Sequence, residues 1–188
     1  MSGWDTPARS YSRLSKPIFT TSGKSCWPAT PRPCSIGQRC SVAVQVRDFE
    51  EIRVGDELPP LVKEIGMARM MAYGAATWDF VRLHYDADYV RELGFDAPFV
   101  DGQMMGGFLT QLTQDWAGPQ AFLSKLAFRN RVMAYPGDTL TCRGIVTGLS
   151  SSDEGGMVEC DLWVENQRKE KVVDPASALI RFPLMAGS

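Results

Sequence analysis

Histidine is nearly absent: His84 is the single one in 188 residues, so imidazole chemistry is confined to one position. There is no run of about 18 apolar residues, so no membrane-spanning helix is expected. The first residues carry no apolar stretch of the kind a secretory signal needs. Cys26, Cys34, Cys40, Cys142 and Cys160 show no Cys-x-x-Cys or Cys/His pairing at zinc-finger spacing. They read as free thiols in a reducing cytoplasm. A dense cationic face is missing too. The net charge is −2, and it is unevenly spread. Residues 1–45 carry Arg9, Arg13, Lys16, Lys24, Arg32 and Arg39 against Asp5, a balance of +5, which leaves −7 on the remainder. An acidic main domain argues against nucleic acid as the partner.

What is present is an ordinary apolar fraction of 44% and a length that suits one domain with an appendage. Residues 1–45 are rich in Ser, Thr, Pro, Gly and Arg, and the segment Trp27 to Pro33 can be neither helix nor central strand. Disorder is expected there. The segment reads as a transit peptide or as a start assigned too far upstream; the lack of a clear amphipathic helix favours the second.

The domain is expected over 46–186. A lead-in loop turns at Gly55-Asp56. A short strand is predicted over 60–65, a helix over 68–77, an irregular stretch over 78–86, and one or two helical turns over 88–93 ending at Gly94. The longest apolar helix is predicted over 103–116, where Met104, Met105, Phe108, Leu109 and Leu112 recur at helical spacing. Gly106 and Gly107 inside it imply close approach of a neighbour. Strand-like segments follow over 122–135, 139–149, 157–165 and 172–183, with a turn at Pro136-Gly137-Asp138. This is α+β order: one apolar helix against a three- or four-strand antiparallel meander. So apolar a helix must be wrapped by a curved sheet, a partner subunit or both.

Asp79 lies five residues before His84, in a stretch that packing alone does not explain. Taken alone, the pair also fits a surface histidine and a carboxylate capping a turn. The context adds to it. Loops on a rigid scaffold are where chemistry concentrates. Pro98-Phe99-Val100-Asp101-Gly102 then leads into the apolar helix, whose start offers free N–H groups for developing negative charge.

Asp79, Leu83, His84 and Asp86 resemble the Asp, Leu, His and final Asp in the signature of MaoC-like (R)-specific enoyl-CoA hydratases. The segment from Ala97 to Gly102 resembles that family's apolar-Val-His-Gly turn into its buried helix. Arg82-Leu83-His84-Tyr85-Asp86, followed by Tyr89, is similar to the variant found in hydratases of branched or dicarboxylic enoyl-CoA compounds. The resemblance spans about Phe49 to Leu184. Val81 stands where the family has Asn, Arg82 where it has Pro, and Asp101 where it has His. The family Asn organises the site, so Val81 bears on substrate positioning.

The resemblance implies a hot-dog fold, a curved antiparallel sheet around a long central helix. It implies an acid–base dyad, Asp79 and His84, that holds one water and adds it across the double bond of an enoyl thioester, with no cofactor. The Gly102 N–H would polarise the thioester carbonyl; otherwise Gly102 only starts the helix. Thr110 aligns with a Ser/Thr facing the site, or is bonded to backbone. Arg82 would meet a substrate carboxylate or CoA phosphate, or pair with Asp86 or Asp88. Val81, Tyr85 and Asp101 complete the expected substrate contacts. The expected partners are an enoyl-CoA or enoyl-acyl-carrier thioester and, because half of the apolar helix would stay exposed in a lone hot-dog chain, a second hot-dog chain, as a homodimer, a higher homo-oligomer or a related subunit. A hot-dog thioesterase and a non-catalytic acyl-binding subunit are the competing readings, and the histidine at +5 favours the hydratase over the thioesterase.

Overall fold

The computed structural model describes residues 47–152 and 155–183; the expectation of disorder over residues 1–45 lies outside them. Five antiparallel strands form one sheet in the order β1-β3-β4-β5-β2. They are β1 (Glu57–Glu64), β2 (Phe122–Asn130), β3 (Thr139–Ser152), β4 (Gly155–Glu165) and β5 (Lys171–Phe182). Three helices precede β2: α1 (Met67–Thr77), α2 (Ala87–Glu92) and α3 (Gly102–Ala117). A 3-10 turn at Arg82–His84 lies in the stretch expected to be irregular.

The meander is β3-β4-β5. Its period-two pattern sends Val158, Cys160, Leu162 and Val164 of β4 inward, followed by Ala176, Ala178, Ile180 and Phe182 of β5. β2 does not join it at β3. It pairs with β5 at the far edge, because α3 carries the chain across the sheet before β2 begins. β1 takes the other edge and starts earlier than expected. Pro59 and Pro60 sit where its register against β3 shifts, and an edge strand with a bulge tolerates residues that cannot donate to the ladder.

α3 contacts all five strands, so the sheet curves around it. Met104, Met105, Phe108, Leu109, Leu112 and Trp116 are buried, and Leu109 is fully enclosed. Leu109→Ala is expected to destabilise by about 2–5 kcal/mol, read from the midpoint of denaturant unfolding. Gly106 meets the close approach anticipated for it: a Cβ there would lie 2.8 Å from the Phe128 ring. Gly107 does not; its nearest neighbour, Tyr73, would stand at an ordinary 3.9 Å. The outward face of α3 is polar, with Gln103, Gln111, Gln114 and Asp115 exposed. The expectation that half an apolar helix stays uncovered in a lone chain therefore fails, since the sheet already buries that face. Exposed large apolar groups lie elsewhere, among them Trp78, Phe80 and Val81, and Phe122, Val132 and Met133.

α1 ends in a 6→1 turn, in which the Asp79 N–H donates to the Gly74 carbonyl at 2.9 Å. The residue such a turn places in the left-handed region is usually glycine. Here it is Trp78, at φ 59° and ψ 28°. A side chain in that conformation costs roughly 1–2 kcal/mol.

The domain cysteines, Cys142 and Cys160, are free and buried, and burial pushes both thiols up to about 12. No helix among the described residues is long and apolar enough to cross a membrane.

Candidate functional site

Two loops meet at the start of α3. The first, residues 78–86, is fixed by the turn that ends α1, by the Tyr85 hydroxyl donating to the Phe80 carbonyl at 3.2 Å, and by Asp86. Asp86 caps α2 by accepting from the Tyr89 N–H at 3.0 Å, and it pairs with Arg82 at 2.8 Å. The Tyr89 N–H and the Arg82 guanidinium together hold its carboxyl below the usual carboxylate range. The second loop, 97–101, joins the first through the Phe99 N–H, which donates to the Leu83 carbonyl at 3.3 Å.

His84 is oriented by that second loop. Its Nδ1 lies 2.8 Å from the Phe99 carbonyl oxygen. A carbonyl only accepts, so Nδ1 carries the proton and neutral imidazole keeps its Nε2 lone pair for another partner. The ring also packs edge-on against the Phe99 ring, with centroids 5.7 Å apart. Asp101 is the N-cap of α3, accepting from the Gln103 N–H at 2.8 Å.

These loops bring Asp79, His84 and Asp101 together, each half-buried, with a carboxylate oxygen or ring nitrogen of each within 4.8 Å of the others. The three line one cavity with Met70, Met71, Tyr73, Gly74, Phe80, Tyr85 and Met104. Its interior of about 10 Å³ is the size that takes one water molecule. Two carboxylates and an imidazole this close are also a donor set for a divalent cation. Burial raises the Tyr73 hydroxyl pKa, and the carboxylates of Asp101 and Asp79 add to it.

The other expected residues lie apart from this cavity. Gly102 heads α3 and lines a neighbouring cavity of about 250 Å³ with Phe99, Met105 and Asn130. Its N–H meets no acceptor among the described residues. Arg82 faces outward, paired with Asp86 and stacked 4.1 Å over Tyr89. Val81 is exposed at the head of the 3-10 turn. The Thr110 hydroxyl donates back to the Gly106 carbonyl at 2.9 Å. Sequence reasoning missed Tyr73, Phe80 and Asn130. The signal available for Tyr73 was its place six residues before Asp79, on the helix leading into the loop.

The cap on α3 separates two roles of Asp101. Asp101→Ala is expected to cost about 1 kcal/mol of stability, whereas Asp101→Asn, which caps equally well, costs a few tenths; thermal unfolding measures both.

A relative that is 32% identical over 97 residues is the 3-oxo-4,17-pregnadiene-20-carboxyl-CoA hydratase beta subunit of Mycobacterium tuberculosis. The match covers 52% of this chain and 75% of that subunit. The chain belongs to the MaoC-like hydratase/dehydratase family. The ChsH1–ChsH2 complex from Mycobacterium tuberculosis contains a similar chain, 27% identical, with a TM-score of 0.62; the match covers 69% of this chain and 98% of that one. The (R)-hydratase from A. caviae shares the hot-dog fold at a TM-score of 0.64 and 21% identity, over 71% of this chain and 99% of that one. No family model matches the chain. Asp101 places a second carboxylate beside the Asp79–His84 pair.

Proposed function

We propose that the chain hydrates or dehydrates an enoyl thioester, with Asp79 and His84 as its acid–base pair. The observation that carries this is their convergence with Asp101 on a cavity of one-water size. Asp79 and the Nε2 of neutral His84 are two acceptors, and one water has two hydrogens to give them. In hydration the dyad takes one proton from this water as its oxygen bonds to the β-carbon. A proton returns from the dyad to the α-carbon on the same face, so one water is added in all. Dehydration reverses the sequence. Gly102 opens on the neighbouring cavity but directly follows Asp101 of the dyad cavity, and its free N–H is the donor we assign to the thioester oxygen, which gains charge in the enolate-like transition state. The carrier is CoA or an acyl carrier protein.

Two observations favour a heteromeric setting. The sequence relative is named a beta subunit, and a similar chain occurs in a two-component complex. Edge strand β2 pairs on one side only, with β5, which leaves a ladder for a second chain, either a copy or a related subunit.

The test is incubation with crotonyl-CoA. Loss of the enoyl absorbance without free thiol supports hydration. Free thiol appearing first would make the protein a thioesterase, and no change in either signal, with crotonyl-CoA and with a longer enoyl-CoA, would leave a non-catalytic subunit.

A further inference from the structure

The Trp78–Phe80 pair is hard to account for by stability. Trp78 holds a left-handed conformation that glycine adopts freely, and its side chain is 82% exposed. Its ring meets Phe80 edge to face, with centroids 5.3 Å apart, and Phe80 is itself 49% exposed. Such a residue adds strain to the fold and an apolar surface to the solvent. Its position gives it a use. Phe80 lines the cavity that holds Asp79 and His84, so the pair forms one aromatic surface running outward from that cavity. Inward, Met70, Tyr73 and Met104 leave space for little more than a water. This cavity has no inner room for an acyl group longer than a few atoms, and on this side such a group runs outward over Phe80.

Resting on the hydratase reading above, we infer that Trp78 and Phe80 form an acyl platform selecting thioesters with a bulky, ring-bearing apolar end. Aromatic faces gain from stacking on flat rings beyond the area they bury, and a straight chain offers no such face. A short acyl group, such as crotonyl, ends before it reaches Trp78.

The test compares hydration of crotonyl-CoA with that of phenylpentenoyl-CoA, an enoyl thioester with a phenyl ring at its chain end. For Trp78→Gly and Phe80→Ala, the ratio of kcat/KM for the phenyl substrate to that for crotonyl-CoA is expected to fall about tenfold. Trp78→Phe is expected to keep most of the ratio. Trp78→Gly suits the local backbone, so loss of the fold does not confound the result. An unchanged ratio in Trp78→Gly, with crotonyl-CoA still hydrated, overturns the platform alone. A shift in oligomeric state by light scattering, with the ratio unaltered, also overturns it by making the pair a subunit contact. Failure of the unaltered protein on both substrates sinks the hydratase reading itself.

Discussion

Asp79→Asn and His84→Ala are each expected to lower kcat/KM for crotonyl-CoA by about 10²–10⁴-fold, the usual range for losing one acid–base group. Neither change should disturb the fold. The Asp79 side chain is half-buried at a cavity, and the turn that places it depends on its N–H bonding the Gly74 carbonyl. His84 contributes one side-chain hydrogen bond, to the Phe99 carbonyl, and an edge-on contact with the Phe99 ring. Circular dichroism should therefore match the unaltered protein. The double variant discriminates further. Two groups holding one water act as a unit, so it should be about as slow as the slower single variant, not the product of the two losses. If each single change costs only a few-fold, the dyad assignment is wrong, whatever the geometry.

Much of this site was legible because its parts lie close together in the chain. Asp79 and His84 share a nine-residue loop, and Asp101 directly precedes an apolar helix whose spacing is plain. The three strands after the turn at Gly137 were legible by alternation. The pairing of β2 with β5 was not, since periodicity carries no information on where a strand docks. The uncovered apolar face expected on α3 came from counting its apolar residues without placing Gln103, Gln111, Gln114 and Asp115 on the opposite side. Arg82 was left open between substrate and Asp86 or Asp88, and the structure places it with Asp86, whose carboxylate also caps α2. Tyr73 and Phe80 carry no motif; Tyr73 reaches the cavity from α1, and Phe80 from the loop after the turn at Trp78. A tryptophan in a left-handed turn is the least legible feature of all, because the local preference there is for glycine.

Gly74→Ala sets two effects of opposite sign against each other. Gly74 lies inside α1, where alanine is favoured over glycine by about 1 kcal/mol. On propensity alone the variant should be more stable and fully active. The structure argues otherwise for activity. A Cβ at position 74 would lie 2.8 Å from the Asp79 carbonyl oxygen, where ordinary contact begins near 3.4 Å. The neighbour here is backbone, and the same residue donates its N–H to the Gly74 carbonyl at 2.9 Å, so it cannot swing aside as a side-chain tip would. The backbone of Asp79 must move by several tenths of an ångström, and its carboxylate moves with it. Displacements approaching 1 Å cost on the order of 10²-fold in rate. We expect kcat/KM to fall roughly 10- to 100-fold, while stability changes by less than about 1 kcal/mol as strain offsets propensity. Gly107→Ala is the matched control. It also replaces glycine by alanine on a helix, but its Cβ would meet only Tyr73, at 3.9 Å. It should gain the helix preference of about 1 kcal/mol and keep its rate. Equal rates in the two variants would mean that the close packing of α1 against Asp79 does not position the carboxylate.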